Sequence, residues 1–334
     1  MQRKLVLITG ATGFVGRHLC PALKRAGFSL RAVHVEPSPP KGWPHGIEWI
    51  KVDHIGPQTD WSHVLAGGIT HVVHLAAVAH RIAPKDQVDD STYDEVNHLG
   101  TAQLARAVAQ TPSVRRLFFM SSIGGVTSLS DEIVNEQTPC HPDTAYGKSK
   151  LSAEKAIQEI LRKSQVDWCI FRPPLLYGPG NPGNMERLLK LLKLPLPLPL
   201  GSIRNRRTFL YVGNLVSAIL LALEHPAAAR QVFCVSDGDE LSTTELLRRL
   251  GGVSNRSVRL FPFPMSGLRV LGTLGEWVRA FTGRSIGVDR QAVEKLCGSL
   301  SVDSSFFRQT CGWTPPFCVE EGLIRTVTGR KTED

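Results

Sequence analysis

The sequence predicts an α/β protein, a doubly wound parallel sheet with a smaller mixed α/β lobe after it. Three observations carry this expectation. Apolar, strand-like runs alternate with helical patterns over about the first 170 residues. The first run, KLVLIT at 4–9, is almost wholly apolar, as a strand covered on both faces must be. A glycine-rich turn then joins that strand directly to a helix.

The elements follow in order. Val15, Leu19, Leu23 and Ala26 recur at helical spacing, and Gly27 stands where a helix C-terminus favours glycine. Residues 30–35 read as a second strand, the Pro/Gly-rich 37–46 as a loop, and 47–52 and 71–76 as strands three and four. A helix is expected over 91–110, a strand at 117–121, a helix over 144–163 and a sixth strand at 166–171. Prolines punctuate 173–199, after which helical patterns at 212–224, 242–250, 266–282, 303–309 and 318–328 are separated by short apolar runs. At roughly 150 residues per domain, the 334 residues divide into 1–173 and 174–330, with some later segments returning to the first unit.

Composition bounds the function. With 42% hydrophobic and 21% charged residues the chain can bury a large core, which excludes a disordered protein. A net charge of +9 and a pI near 9.4 suit an anionic ligand without choosing among phosphate, nucleotide and nucleic acid. The seven cysteines are odd in number and form no CxxC pair, so reduced thiols in a cytoplasmic protein are expected, and no metal site. The apolar run at the N-terminus is too short for a signal peptide core or a membrane span. The stretch 188–200 carries two lysines and three prolines and is not expected to span a membrane either.

Gly10-Ala11-Thr12-Gly13-Phe14-Val15-Gly16 has the spacing GxxGxxG and opens the first helix. Gly10 permits the tight turn, Gly13 lets a pyrophosphate approach the helix N-terminus, and Gly16 lets the helix pack closely on the sheet. Thr12, Phe14 and Val15 are expected to line the same cofactor. Glu36, at the end of strand two, can accept the ribose hydroxyls, and no arginine follows in that turn to bind a 2′-phosphate. Both features lean to NAD, with NADP left open. Asp53 reads equally as an adenine ligand or as a solvated loop carboxylate.

Tyr146 and Lys150 are four residues apart and share a helix face. An ammonium beside a tyrosine favours the phenolate, lowering its pKa from about 10 towards neutrality and enabling proton exchange with a hydroxyl or ketone. Met120-Ser121-Ser122 ends strand five, at the edge of an α/β sheet where ligands bind, and offers a hydroxyl to the reacting oxygen.

Together these residues resemble the extended short-chain dehydrogenase/reductases, in the nucleotide-sugar epimerase, dehydratase and reductase branch with its Rossmann-like fold. The resemblance spans essentially the whole chain. It implies Gly10, Gly13 and Gly16 as the cofactor loop, His74-Leu75-Ala76-Ala77 as the stretch beside the cofactor, with Ala76 and Ala77 touching it, and Asn97 with Gly100-Thr101 as a further cofactor helix. It implies Ser122, Tyr146 and Lys150 as the catalytic set, with Ser121 as the alternative one residue earlier. Phe171 to Pro179 matches the RPxxxYGP segment. In the second lobe it implies Asn184 and Arg207 as ligands of a sugar diphosphate, and Leu198-Pro199-Leu200-Gly201 as the uracil-contacting strand. Ser299 to Asp303 and Gly312 to Pro316 are similar to the signature of UDP-sugar members tied to surface polysaccharides.

Ile123-Gly124-Gly125 follows Ser122 where the dehydratases carry an acidic pair, so dehydration is not expected. The resemblance therefore implies NAD(P)-dependent 4-epimerisation of a UDP-hexose or UDP-N-acetylhexosamine. The alternative is reduction of a 4-keto-6-deoxy UDP-sugar, and a remote one is a non-catalytic dinucleotide-binding or RNA-binding protein. The arginines at 204–207 have only Phe209 and Tyr211 nearby, so no nucleic-acid partner is expected. A homodimer is implied through the helices 91–110 and 144–163, using Leu104, Ala105, Val108, Ala109, Leu151, Ile157 and Leu161.

Overall fold

A computed structural model describes residues 4–36, 38, 43, 45–79, 89–181, 184–192, 196–256, 258–270, 272–273 and 290–329. Among them the strands are β1 (Leu5–Thr9), β2 (Ser29–His34), β3 (Ile47–Lys51), β4 (Ile69–His74), β5 (Arg116–Met120), β6 (Asp167–Arg172), β7 (Leu175–Tyr177), β8 (Arg207–Tyr211), β9 (Gln231–Cys234) and β10 (Glu240–Leu241). Seven of them form a parallel sheet in the order β3-β2-β1-β4-β5-β6-β9, and β10-β8-β7 form a small mixed sheet.

Both faces of the large sheet are covered, which is why its strands are apolar throughout. The main helices are α1 (Phe14–Arg25), α2 (Ser62–Leu65), α3 (Asp90–Tyr93), α4 (Gly100–Ala109), α5 (Ala145–Leu161), α6 (Asn184–Leu191), α7 (Val212–Glu224) and α8 (Thr243–Val253). Val6 and Ile8 of β1 pack with Leu19 and Leu23 of α1 and Leu215 and Ile219 of α7. Leu7, between them, faces the opposite layer with Leu104 and Val108 of α4 and Ile157 and Leu161 of α5. β9 extends the large sheet from the later half of the chain, and Phe307 and Trp313 join the first of these cores.

That second layer corrects one expectation. Leu104, Ala105, Val108, Ile157 and Leu161 are each 0% exposed. Five of the seven apolar residues expected to meet a second copy are thus occupied inside the chain, because α4 and α5 pack on the sheet as well as on each other, while Ala109 and Leu151 are half-buried.

Strand four ends at His74 rather than at 76, and the helix expected over 91–110 is interrupted. Asp94–Leu99 forms a π-helical turn between α3 and α4. The strands β7, β8, β9 and β10 were not foreseen. Each is short, and β7 follows a Pro-Pro pair that masks its pattern. The helix expected at 266–282 lies largely outside the described residues.

Candidate active site

The order of the large sheet reverses between β1 and β4, so the loops leaving their C-terminal ends diverge and open a crevice. The β1–α1 turn lines one side. Gly10 has φ +71°, and a Cβ there would lie 2.6 Å from the Ala76 nitrogen, so the glycine lets the two loops meet. Gly13 is exposed, and a Cβ on it would meet only the Gly10 carbonyl, at 3.2 Å. No side chain caps α1 and no acid sits in its first turn. Its first N–H groups and dipole are therefore available to an anion, as a dinucleotide's pyrophosphate requires. Thr12, Phe14 and Val15 are half-buried along this turn. Gly16 corrects a detail of the sequence reading. Its Cβ would fall 2.1 Å from the Ala11 carbonyl oxygen, so the glycine is required by the loop's own backbone rather than by helix–sheet packing.

Glu36 is exposed two residues beyond β2, and its carbonyl lies 3.0 Å from His34 Nδ1. The Asp53 side chain is 93% exposed and lies 3.9 Å from Lys51 Nζ.

The loop after β4 is held by a relay through His74, which is 1% exposed. Its Nδ1 lies 2.6 Å from Thr9 Oγ1 and its Nε2 lies 2.8 Å from Thr101 Oγ1. Thr101 Oγ1 donates to the Asn97 carbonyl, and the Ala76 N–H donates to Thr9 Oγ1. One neutral tautomer fits every contact, with Nε2 donating to Thr101 and Nδ1 accepting from Thr9. Burial favours that neutral form and pushes the His74 pKa down to about 3. Below the ordinary histidine value of about 6.5 the unfolded chain binds a proton that folded His74 refuses, so this residue makes stability fall as pH drops from there towards 3.

Asn97, 1% exposed, accepts from the Val78 N–H at 2.8 Å and donates to the Val78 carbonyl and to Ser149 Oγ. Its side chain ties the β4 loop to α5. Thr101→Val should cost about 1–3 kcal/mol in denaturant unfolding, because it leaves the His74 N–H buried without an acceptor. An unchanged unfolding midpoint would contradict the relay.

Across the crevice, β5 delivers Ser122 and α5 delivers Tyr146 and Lys150. Thr144 caps α5 by accepting from the Gly147 N–H at 3.0 Å. Gly147 is what lets the helix seat. A Cβ there would fall 2.1 Å from the Gly124 carbonyl oxygen, in the 3₁₀ turn that Ser122 caps. Tyr146 is half-buried and hydrogen-bonded to Ser122. Ser121 is excluded as the alternative, since it is buried with its hydroxyl donating to Glu154.

Lys150 is 2% exposed and donates to the Met120 carbonyl at 2.8 Å, with Nζ 6.0 Å from the Tyr146 ring centre. The electrostatics differ from the sequence expectation. Burial pushes Tyr146 up to about 12 against the Ser122 hydrogen bond, and pulls Lys150 down to about 7 against the Glu154 charge. The expected lowering of the tyrosine is absent because the ammonium is directed at a carbonyl and both groups are desolvated.

In the second lobe, Arg207 begins β8 and is half-buried. It donates to the Lys295 carbonyl, and among the described residues no carboxylate pairs with it. Burial lowers its pKa. Ser299 to Asp303 runs between the loop at Val134 and β8, through bridges Val134–Val302 and Arg207–Leu300. Leu198 and Gly201 pair with Arg259 and Phe261 through backbone hydrogen bonds. Asn184 opens α6, and its side chain lies outside the described residues. Among the described residues no group of acids, histidines and cysteines could hold a metal, and no helix is long and apolar enough to cross a membrane.

A half-buried tyrosine and a buried lysine, facing an uncapped glycine-rich helix start across a topological switch point, are the arrangement of a dinucleotide-dependent oxidoreductase. The model of the NAD dependent epimerase/dehydratase family matches residues 6–235, more than half of the chain, and the protein belongs to that family as one of its enzymes. It is 35% identical over 332 residues to a Vibrio cholerae protein named UDP-glucose 4-epimerase, covering 97% of this chain and 94% of the relative. It is 29% identical over 328 residues to an Escherichia coli O157:H7 protein named N-acetyl-alpha-D-glucosaminyl-diphospho-ditrans,octacis-undecaprenol 4-epimerase, covering 96% and 94%. The fold is similar to that of Thermotoga maritima UDP-glucose 4-epimerase, solved with UDP-glucose, with a TM-score of 0.74, 20% identity and coverage of 99% and 100%.

Sequence reasoning missed Thr9, Gly147, Glu154 and Arg172. The two charged residues had a signal, since Glu154 follows Lys150 at helical spacing and Arg172 stands in the RPxxxYGP segment. The contact between Gly147 and Gly124 had none, because it joins residues 23 apart.

Proposed function

We propose that this protein interconverts the carbon-4 epimers of a sugar carried on a diphosphate, with a UDP-hexose or UDP-N-acetylhexosamine as the substrate, in the supply of surface polysaccharide precursors. The observation that carries the reading is the hydrogen-bonded Ser122–Tyr146 pair standing across the crevice from the open α1 N-terminus. NAD, when bound, supplies the hydride acceptor and donor. Tyr146 Oη takes the proton of the 4-hydroxyl and later returns it, while Ser122 Oγ holds the same oxygen. Lys150, once charged, stabilises the phenolate and holds the nicotinamide ribose. Arg207, half-buried with no acidic partner among the described residues, is left to bind the diphosphate.

The names of the two relatives share carbon-4 epimerisation and support the choice over reduction. The exposed Glu36 and the lack of an arginine in its turn support NAD over NADP. We place the enzyme in the cytoplasm, as a homodimer whose contact must use residues other than the buried ones of α4 and α5.

The test is incubation without added cofactor with UDP-glucose, UDP-galactose, their N-acetylamino forms and undecaprenyl-diphosphate-linked N-acetylglucosamine. Interconversion is expected for at least one UDP pair. Turnover of the lipid-linked sugar alone would move the substrate class. Reduction of a 4-keto-6-deoxy UDP-sugar by NADH or NADPH, with no interconversion, would replace the reading by the reductase. Arg207→Ala should weaken apparent UDP-sugar affinity by about 1.5–3 kcal/mol and leave NAD binding unchanged. Equal loss of both would make Arg207 a structural residue.

A further inference from the structure

Beneath the Tyr146–Lys150 pair lies an ion pair that the proton transfer does not use. Glu154 is 1% exposed and Arg172 is 6% exposed. Arg172 Nη2 donates to Glu154 Oε2 at 2.6 Å, and its Nε lies 3.1 Å from both carboxylate oxygens. Glu154 Oε1 also accepts from the Ser121 hydroxyl. Ser121 stands between Met120, whose carbonyl receives the Lys150 ammonium, and Ser122, which bonds Tyr146. Glu154 follows Lys150 by one helical turn, as Lys150 follows Tyr146, so all three share a face of α5.

A buried ion pair is weak evidence for stability, because desolvating both charges offsets most of their attraction. Its position is the informative feature. The groups facing Lys150 are Tyr146 and Glu154 on α5, the Met120 carbonyl and Phe119 ring on β5, and His74 on β4. Arg172, on β6, faces Glu154. His74 is neutral, so Glu154 supplies the one negative charge acting on this ammonium among the described residues.

We propose that Glu154, anchored by Arg172, is a positioning residue for the reaction: it keeps the buried Lys150 ammonium charged and, through Ser121, fixes the Met120 carbonyl and the Ser122 hydroxyl against Tyr146. This role rests on the assignment of Tyr146 and Lys150 as the proton-transfer pair. The sign of its effect follows. Burial draws Lys150 down to about 7 and the Glu154 charge acts upward. Without that charge the ammonium is lost at still lower pH. An activity that needs the ammonium disappears as pH rises through the Lys150 pKa, so the alkaline limb of the pH profile moves down.

Glu154→Gln keeps the shape and removes the charge, and it leaves Arg172 unpaired in the core. The double variant Glu154→Gln/Arg172→Met removes both charges, a replacement that buried pairs often tolerate. Two readouts are compared with the wild type: the pH profile of kcat/KM, and the titration of Lys150 by NMR of [ε-¹³C]lysine-labelled, cofactor-free protein. Both are expected to move down by about one pH unit or more in the double variant, the shift usual for loss of a nearby opposite charge. KM for the sugar should change little. Wild-type titration and profile in the double variant would overturn the role, leaving Glu154 as a counter-ion to Arg172. A double variant that does not fold also counts against it, since the pair would then be a folding element. If the wild type turns over no sugar, the functional reading fails, and the lysine titration still decides the role of Glu154.

Discussion

Tyr146→Phe is expected to lower kcat by about 10²–10⁴-fold, the range for loss of a positioned proton-transfer group, with NAD binding retained. The substitution removes one oxygen and keeps the ring where it packs edge-on against Tyr93, with centroids 6.3 Å apart. The backbone turn of α5 around residue 146 is set by the Thr144 cap and by Gly147 against Gly124, neither of which involves the phenol. Burial raises the Tyr146 pKa to about 12, so the neutral phenol, a proton donor, is the resting form at neutral pH, and taking the 4-hydroxyl proton requires the phenolate that a charged Lys150 favours. Turnover within a few-fold of the wild type would remove Tyr146 from the chemistry.

Gly10→Val is the second large effect. The position has φ +71°, which a β-branched residue adopts at a cost of about 1–2 kcal/mol before any contact is counted. Its Cβ would also lie within 3 Å of three backbone atoms of Leu75 and Ala76, and backbone cannot swing aside as a long side chain does. We expect a loss of at least about 2 kcal/mol of stability together with loss of NAD binding. Gly13→Val separates the two consequences. Gly13 has φ −71°, and its would-be Cβ meets only the Gly10 carbonyl. The fold should survive, with an unchanged unfolding midpoint, while the added side chain blocks the approach to the α1 N-terminus. If Gly13→Val bound NAD normally, the anion site at that helix start would be wrong.

The large sheet was legible because its strands are covered on both faces and stay apolar through their length, and the Gly10 turn announced the ligand edge. Ser122, Tyr146 and Lys150 were legible because two of them share a helix face and the third leaves a neighbouring strand. What sequence could not show was how buried polar groups are shared. Asn97 is drawn to Val78 and Ser149, and Ser121 to Glu154. These partners are set by tertiary contact and leave no period in the chain. The same applies to Leu104, Val108 and Ile157, whose helical spacing identifies an apolar stripe without saying what covers it. The structure gives that stripe to the sheet.

The most direct measurement follows the hydrogen on carbon 4. UDP-glucose or UDP-N-acetylglucosamine carrying deuterium at that carbon is incubated with the enzyme, and the 4-epimer is isolated and examined by NMR and mass spectrometry. Transfer of that hydrogen away from carbon 4 and back, with only the hydroxyl proton passing through Tyr146, predicts a 4-epimer that keeps its deuterium at carbon 4. Exchange of the deuterium for solvent hydrogen, or no epimer from either sugar while a 4-keto sugar is reduced by added NADH or NADPH, would contradict carbon-4 epimerisation by this site.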